Sequence, residues 1–197
     1  MKTVFVDVDT QLDFLYPAGA LYVPGAEQIV DRIAALNRFA CSHGIPVVST
    51  MDAHAEDDPE FRDWPPHCVA GTAGQHKPAS TLLERRVLVP NTQGLREVGG
   101  AQQILLEKQA LNCFTNVNLR DLLSRLAAER YVVYGVVTEI CVKCAAFGLL
   151  EMGGRIEIAT DVVKELDISA QAQMFEEFTA KGGILTNSTE IVSEVYH

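Results

Sequence analysis

The stretch Tyr131-Val132-Val133-Tyr134-Gly135-Val136-Val137-Thr138-Glu139-Ile140-Cys141 decides the fold, because its pattern changes from strand to helix. Residues 131–135 are almost continuously apolar, which is typical of a strand buried on both faces of a parallel sheet. A helix pattern then runs from about residue 139 to residue 152, where Gly153 and Gly154 end it. A buried strand followed by a helix is the repeating unit of α/β proteins, and we therefore expect that fold class.

The same alternation of strand and helix patterns continues along the rest of the chain. Strand-like runs cover residues 3–8, 46–50, 104–107, 131–135, 156–160 and 183–185. Helix patterns cover residues 29–40 before Gly44, residues 119–126, and a stretch that a Ser169 cap begins and that runs to about residue 181. These patterns predict a three-layer α/β/α fold with right-handed crossovers and a central, mostly parallel sheet of about six strands.

The length and composition of the chain favour one folded unit. Its 197 residues are 48% hydrophobic, which is enough for a full core, and we expect a single domain over residues 1–197. Residues 52–100 form a long irregular region between predicted strands. A region of that length is unusual as a plain connection, so we expect it to carry function.

The charge and the cysteines exclude several classes of protein. A net charge of -10 argues against a nucleic-acid partner, because phosphate binding needs a basic face. No apolar run approaches the roughly 18 residues of a membrane span, and no leader pattern opens the chain. The five cysteines lack the spacing of a disulfide framework, which favours free thiols and a cytoplasmic location.

Polar residues follow several predicted strands at the point where each strand ends. Asp9 follows the first strand, Asp52 and His54 follow the second, Lys108 ends the third and Cys141 follows the fourth. Ligands and catalytic groups of such sheets lie at the carboxyl ends of the strands. The sequence therefore predicts that an acid, a metal-binding group, a base and a thiol meet at one edge of the sheet.

The segment from Asp52 to His67 contains donors that suit a divalent metal ion. Asp52, His54 and His67 supply a carboxylate and two imidazoles, and Pro65-Pro66 stiffens the loop before His67. This donor set suits zinc, iron or manganese. Glu60 lies between the two histidines and could complete the metal shell. The alternative is a proline-kinked surface loop with scattered polar residues.

Cys141 lies near a predicted helix N-terminus, where the helix dipole favours a thiolate. Asp9 could accept the thiol proton, and Lys108 could lower the pKa of the thiol. The alternative is that Cys141 is a small buried hydrophobe, as most free cysteines are. Cys141 and Cys144 also form a C-x-x-C pattern, which leaves a thiol–disulfide redox protein open as a different class.

Four motifs, in chain order, resemble those of the isochorismatase-like cysteine hydrolases, and in particular their nicotinamidase branch. The motifs are Asp9-Thr10-Gln11-Leu12-Asp13-Phe14; Asp52-Ala53-His54 with Trp64-Pro65-Pro66-His67-Cys68; Lys108 with Asn112-Cys113-Phe114; and Gly135-Val136-Val137-Thr138-Glu139-Ile140-Cys141-Val142. They span most of the chain. One such motif alone would be a weak or moderate indication of the family, whereas four in the family's order are a strong one.

The resemblance implies a catalytic triad of Asp9, Lys108 and Cys141. It further implies an oxyanion hole formed by the backbone N–H groups of Val137 and Cys141, next to a cis peptide at Val136–Val137. It implies one divalent metal ion, zinc or alternatively iron or manganese, on the ligands Asp52, His54, Glu60 and His67. Phe14 and Trp64 are expected to flank the ring of a small amide substrate.

The function that the resemblance implies is the hydrolysis of nicotinamide to nicotinate and ammonia, through a thioester on the cysteine. It connects the protein with pyridine nucleotide salvage in NAD metabolism and allows for a homo-oligomer. A related amidohydrolase acting on another small carboxamide or carbamoyl compound is the nearest alternative.

Overall fold

The computed structural model describes residues 1–94 and 97–194, and its centre is a sheet of seven strands. The strands follow the order β3-β4-β2-β1-β5-β6-β7, and every neighbouring pair is parallel. Their bounds are β1 Thr3–Val8, β2 Val47–Asp52, β3 Arg86–Val89, β4 Gln103–Lys108, β5 Arg130–Val136, β6 Arg155–Lys164 and β7 Ile184–Thr186. The prediction of an α/β fold with a parallel sheet is confirmed.

Helices cover both faces of the sheet and complete the three-layer fold. The helices are α1 Leu12–Leu15, α2 Val30–Ser42, α3 Leu119–Leu126, α4 Lys143–Met152, α5 Ile168–Ala180 and α6 Ser188–Glu194. Helices α2 and α6 pack together, and α4 packs against α5. The chain moves from β1 to β2 in one direction along the sheet and from β5 to β6 in the other, and right-handed crossovers then put α2 and α4 on opposite faces.

The apolar runs of the sequence become the buried strands at the middle of the sheet. Every residue of β2 and of β5 is buried. This burial explains why β5 reads as an almost continuous apolar run rather than as an alternating one. In β2 the buried polar residues Ser49 and Thr50 donate hydrogen bonds to Asp7 and Asp9.

The sheet has one strand more than the sequence predicts. Strand β3, Arg86–Val89, lies at the edge of the sheet within the predicted irregular region, and Arg86 and Leu88 are exposed. Its apolar run is only three residues long, Val87 to Val89, which is too short to distinguish a strand from a loop. The rest of residues 52–94 and 97–100 contains the 3₁₀ turns Pro59–Arg62 and Ala79–Thr81.

Two helix starts differ from the prediction. Helix α5 is capped by Asp167, whose carboxylate accepts hydrogen bonds from the backbone N–H groups of Ser169 and Ala170; Ser169 is therefore not the cap. The helix predicted from residue 139 begins as a π turn, Thr138–Val142, and becomes α-helical only at Lys143. π turns of this kind are frequent at functional sites.

The strand order creates a switch point between the neighbouring strands β1 and β5, because the connections that follow them lead toward opposite edges of the sheet. Ligands of open α/β sheets bind in the crevice at such a point, beyond the carboxyl ends of the strands. Asp9 follows β1 and Cys141 follows β5. The topology therefore brings these two predicted site residues to the same crevice.

Gly135 is required where β1 and β5 meet. Its φ is +121°, and a Cβ at this position would lie 2.1 Å from the carbonyl oxygen of Val8. The register between β5 and β6 also shifts between Val133 and Gly135. The strand can therefore turn toward the crevice only with glycine at this position.

Within the described residues, no helix is long and apolar enough to cross a membrane. All five cysteines are free thiols.

We expect Gly135→Ala to destabilise the protein far more than Gly44→Ala. Both glycines have positive φ, but a Cβ on Gly44 meets nothing within 4 Å. Alanine at position 44 should cost about 1 kcal/mol, which is the backbone penalty alone. At position 135 the clash with Val8 adds to that penalty, and the total should exceed about 3 kcal/mol. Urea unfolding of both variants measures the difference, and equal losses would contradict the close approach of β1 to β5.

Candidate active site

The register of the sheet brings Asp52 and Lys108 together. They are the last residues of β2 and β4, and their Cα atoms are partners in the parallel ladder. Strand β1 lies on the other side of β2, and Asp9 follows it. Because the four strands β4, β2, β1 and β5 are neighbours, Lys108, Asp52, Asp9 and Cys141 lie in this order along one edge of the sheet.

The ammonium group of Lys108 lies at the centre of this edge and is fully buried. Its Nζ lies 2.9 Å from Oδ2 of Asp9, and it also donates a hydrogen bond to Oδ1 of Asp52. It donates a further hydrogen bond of 3.0 Å to the carbonyl oxygen of Ala110 and lies 4.0 Å from Sγ of Cys141. One buried cation, Lys108, thus links the carboxylates of Asp9 and Asp52 with the thiol of Cys141.

Asp9 is held in place by the neighbouring strand. Its Oδ1 accepts a 2.6 Å hydrogen bond from Oγ1 of Thr50, and its backbone N–H donates to the carbonyl oxygen of Thr50. Asp9 adopts a positive φ of 50°, which is unusual for a residue other than glycine and is often found at functional positions. These contacts leave Oδ2 directed at Lys108.

Cys141 lies in the π turn that follows β5 and is only 7% exposed. The peptide bond Val136–Val137, just before this turn, is cis, as the family resemblance implies. Val137 and Cys141 both line the same pocket. The turn therefore presents the thiol and the backbone around it to one cavity.

The buried charges shift the pKa values of the site. Burial raises the pKa of Asp9, although the Lys108 ammonium opposes this shift. For Lys108, burial acts to lower the pKa, but the carboxylates of Asp52 and Asp9 outweigh it and raise the pKa. Burial also raises the pKa of Cys141, against the pull of Lys108. At neutral pH the sulfur therefore holds its proton beside a carboxyl group of raised proton affinity.

The predicted metal donors gather beside the same edge. One ligand atom each from Asp52, His54 and His67 lies within 4.8 Å of the others, and all three residues are buried. Oδ2 of Asp52 lies 3.9 Å from Nε2 of His54 and 3.8 Å from Nε2 of His67. Oε1 of Glu60 lies 3.9 Å from each of the same two nitrogens. Donors that each lie about 2.1 Å from one ion are separated by at most about 4.2 Å, and all four carboxylate-to-imidazole distances are within this limit.

The hydrogen bonding of the two histidines tests whether the residues suit a metal ion. Nδ1 of His67 lies 2.7 Å from the carbonyl oxygen of Pro65, so this nitrogen carries the proton and Nε2 is a free acceptor. Nε2 of His54 is fully buried and has no hydrogen-bond partner among the described residues. Such orphaned nitrogens facing two carboxylates are what a divalent cation would satisfy. The donor set therefore fits zinc, iron or manganese.

The electrostatics of the cluster point the same way. Burial raises the pKa of Glu60, and the negative charge of Asp52 raises it further. For His54, burial acts to lower the pKa, but the carboxylates of Asp52 and Asp58 outweigh it and raise the pKa. For His67 the shift has the opposite sign, because burial lowers its pKa and favours the neutral imidazole that a metal ion needs.

A pocket that is partly open to solvent connects the thiol with the metal donors. Its lining includes Cys141 and Val137 as well as Asp52, Glu60 and His67. The predicted ring-binding residues Phe14 and Trp64 both line it. The remaining wall is apolar and consists of Leu21, Val23, Leu111, Ile140 and Leu166.

The outer wall of the pocket is tied to the turn that carries the thiol. Oε1 of Glu139 accepts hydrogen bonds from the backbone N–H groups of Leu166, at 2.9 Å, and Asp167, at 2.8 Å. Nε2 of Gln171 donates to Oγ1 of Thr138 in the same turn. The position of Leu166 therefore depends on the residues that position Cys141.

Several residues that shape the site were not predicted from the sequence. Gln11 and Asp13 carry the family motif, yet their contacts are to the backbone of Asp52 and Cys68. Asp58 belongs to none of the four motifs, yet its carboxylate lies 3.0 Å from Nδ1 of His54. The apolar pocket wall has no sequence signal of its own, because its members come from separate loops.

Comparisons with known proteins agree with this architecture. A model described as the isochorismatase domain matches residues 3–190. The nicotinamidase of Escherichia coli (strain K12) is 25% identical over 200 residues, which cover 90% of this chain and 91% of that relative.

Solved structures of two proteins extend the similarity. The crystal structure of the pyrazinamidase of Pyrococcus horikoshii in complex with zinc matches with a TM-score of 0.81 and 26% identity, over 95% of this chain and 99% of that chain. The N-carbamoylsarcosine amidase from Thermoplasma acidophilum matches with a TM-score of 0.77 and 26% identity, over 95% and 97% of the two chains.

We expect Lys108→Leu to lower the free energy of unfolding by about 3–5 kcal/mol, because it leaves Asp9 and Asp52 buried without their shared cation. Lys143→Leu is the matched control. Its ion pair with Glu177 is 39% exposed on both sides, and exposed pairs contribute less than about 1 kcal/mol. Urea unfolding at neutral pH compares the two variants. A loss at Lys108 as small as that at Lys143 would contradict the central role of the buried ammonium.

Proposed function

This chain belongs to the isochorismatase family, and we propose that it is a nicotinamidase, which hydrolyses nicotinamide to nicotinate and ammonia. The family and the E. coli relative support a hydrolase that acts on amide bonds. The observation that carries the proposal is that one pocket joins a cysteine thiol, beside a buried Asp–Lys pair, to a cluster of metal donors. A metal ion on these donors would bind a substrate with a basic ring nitrogen more tightly than a small amide without one.

In the proposed reaction, Cys141 is the nucleophile and Asp9 is the general base. Asp9 accepts the thiol proton while the sulfur bonds to the amide carbon and the carbonyl π electrons move to oxygen. The raised pKa of the Asp9 carboxyl group makes it able to hold this proton. The Lys108 ammonium lies 4.0 Å from the sulfur and stabilises the negative charge that develops on the sulfur.

The tetrahedral adduct then collapses and the C–N bond breaks. Asp9 returns its proton to the departing nitrogen, ammonia leaves, and an acyl thioester remains on Cys141. A water molecule next loses a proton to Asp9 and attacks the thioester carbon. Cleavage of the C–S bond, with return of the proton to sulfur, releases nicotinate and restores the thiol.

The developing oxyanion needs hydrogen-bond donors, and we assign them to the backbone N–H groups of Val137 and Cys141. Both residues line the end of the pocket where the thiol lies. Two preorganised donors at this position stabilise the charge of each tetrahedral adduct.

The ring of the substrate is held by the metal donors and the aromatic residues that line the same pocket. Asp52, His54, His67 and Glu60 would hold one divalent metal ion, which would supply a Lewis-acidic anchor for the pyridine nitrogen. Phe14 and Trp64 would contact the faces of the ring. Zinc is the metal we favour, since the similar P. horikoshii pyrazinamidase is a zinc complex.

A carbamoyl amidase is the second candidate, because the T. acidophilum structure has the same fold and a similar degree of identity. N-Carbamoylsarcosine carries a carboxylate that has to be neutralised in a buried pocket. Among the described residues that line the pocket, none is an arginine or a lysine. Apart from the proposed metal ion, the described lining therefore offers a carboxylate no cation, and its apolar wall suits a neutral aromatic amide.

A C-x-x-C redox protein is a weaker candidate. Cys141 lines the pocket and Cys144 does not, so the pocket presents a single thiol rather than a pair. That function would also leave the metal donors unused.

A role in pyridine nucleotide salvage follows from the proposed reaction, since nicotinate and ammonia are its products. We further propose a single domain over residues 1–197, a cytoplasmic location and a small-molecule amide as the partner. Whether the protein forms a homo-oligomer stays a prediction of the family resemblance.

We expect the zinc-loaded protein to release ammonia from nicotinamide with a kcat/KM at least about 100-fold higher than from N-carbamoylsarcosine. N-Carbamoylsarcosine has no aromatic ring for Phe14 and Trp64 to contact, and its carboxylate has no arginine or lysine partner among the described lining residues. Together these losses should cost about 3 kcal/mol, and each 1.4 kcal/mol is a factor of about ten. An enzyme-coupled ammonia assay with both compounds measures the ratio. A preference for the carbamoyl compound would replace the proposed substrate, and no release from either would reject the function.

We expect Cys141→Ala to lower kcat by at least about 10⁴-fold, because removal of a catalytic nucleophile leaves only binding and oxyanion stabilisation. Cys144→Ala should keep kcat within about threefold, since Cys144 does not line the pocket. Mass spectrometry during turnover should detect the acyl adduct in wild type and not in Cys141→Ala. Equal losses in both folded variants would favour the redox function instead.

A further inference from the structure

Asp58 contacts two of the four candidate metal ligands with one carboxylate. Its Oδ1 accepts a 2.9 Å hydrogen bond from the backbone N–H of Glu60 and so caps the 3₁₀ turn Pro59–Arg62. Its Oδ2 lies 3.0 Å from Nδ1 of His54. The Asp58 side chain is only 9% exposed, so water competes little for either oxygen.

The distances around the His54 ring decide which nitrogen carries its proton when the ring is neutral. Nδ1 has a carboxylate oxygen at 3.0 Å, although the contact is not aligned as a full hydrogen bond. Nε2 has its nearest carboxylate oxygens, from Asp52 and Glu60, at 3.9 Å, with room for a cation between them. A proton on Nδ1 is therefore favoured, and Nε2 keeps the lone pair that a metal needs.

We propose that Asp58 is a positioning residue of the metal site, which directs Nε2 of His54 toward the ion and fixes the turn that carries Glu60. This inference rests on the proposed metal site and adds to it a residue that never touches the ion. Metal-bound histidines generally donate their other N–H to a carboxylate or carbonyl, and loss of such a partner weakens metal binding.

His67 shows why Asp58 matters for His54 in particular. The Nδ1 proton of His67 is directed at a backbone carbonyl, that of Pro65, which no side-chain substitution removes. The Nδ1 proton of His54 depends on a side chain. The metal affinity of the site can therefore be changed at Asp58 without altering any of the four ligands.

The variant Asp58→Asn separates positioning from simple bulk, because it keeps the shape of the side chain but replaces one oxygen with an NH₂ group. If the amide oxygen caps Glu60, the NH₂ group faces Nδ1 of His54 and favours the tautomer with its proton on Nε2, where the metal should bind. If the amide oxygen faces His54, the NH₂ group meets the N–H of Glu60 and the cap is lost. Either orientation should weaken the site.

Asp57→Asn is the matched control. Asp57 is the exposed neighbour in the same loop, and its substitution removes the same charge from the adjacent position of the chain. A general electrostatic effect would weaken metal binding similarly in both variants. A positioning effect would appear only in Asp58→Asn.

Zinc dissociation constants measured by competition with a chromogenic chelator test the proposal. We expect Asp58→Asn to bind zinc about 10–100-fold more weakly than wild type, and Asp57→Asn to remain within about threefold. The metal-free proteins should have the same melting temperature within about 2 °C, so that lost affinity is not lost folding. A long-range ¹H–¹⁵N spectrum of the zinc-loaded wild type should show the His54 proton on Nδ1.

The outcomes distinguish this inference from the proposed function. If wild type binds no zinc, iron or manganese, the metal site itself is wrong. If wild type binds zinc and Asp58→Asn binds it equally well, or if both variants weaken it equally, the positioning role of Asp58 is wrong while the metal site stands.

Discussion

The buried ammonium group of Lys108 is the constraint on which the rest of the site depends. Removal of an ammonium ion from water costs several kcal/mol unless partners compensate it, and here the partners are Asp9, Asp52 and the carbonyl oxygen of Ala110. These partners come from the ends of β1 and β2 and from the loop after β4, so the compensation exists only when the strands lie in the observed order and register. Fold and site are therefore specified together: a one-residue slip between β2 and β4 would separate Asp52 from Lys108, so that the Asp52 carboxylate would lose its cation and Lys108 one of its two carboxylates.

Asp52 links the two halves of the site because its two oxygens have different partners. Oδ1 accepts from Lys108, while Oδ2 faces the histidine nitrogens of the metal cluster. Its backbone is also fixed on both sides: the Gln11 side chain accepts from the N–H of Asp52 at 2.7 Å and donates to its carbonyl oxygen at 2.9 Å. Asp13 fixes the backbone next to His67 in a similar way, because its Oδ2 accepts a hydrogen bond from the N–H of Cys68, the residue that follows His67. Motif residues that resemble catalytic acids and amides are thus used to position the backbone.

The sequence predicted those features that physical periodicity or a strand end makes visible. Buried strands such as β5 read as apolar runs, and polar residues that follow them identify the edge where Asp9, Asp52, Lys108 and Cys141 meet. The sequence did not predict strand β3, because its apolar run of three residues is short and lies inside a long irregular region. Asp58 and the pocket wall residue Leu166 were missed for another reason: their roles depend on how separate loops fold back, and a contact such as that of Asp58 with His54 has no periodic signature. Loop geometry of this kind follows from tertiary packing rather than from local sequence.

The arrangement also explains how a buried site can transfer charge during the proposed reaction. Asp9 and Cys141 share one proton, so its transfer from sulfur to carboxylate leaves the total charge unchanged. The negative charge moves from Asp9, 2.9 Å from the ammonium of Lys108, to a sulfur that lies 4.0 Å from the same ammonium, and then to the substrate oxygen. Until it reaches the backbone donors, the charge stays beside a cation that does not have to move. A mobile or solvated lysine would have to reorganise at each step, which is the cost that a fixed, buried Lys108 avoids.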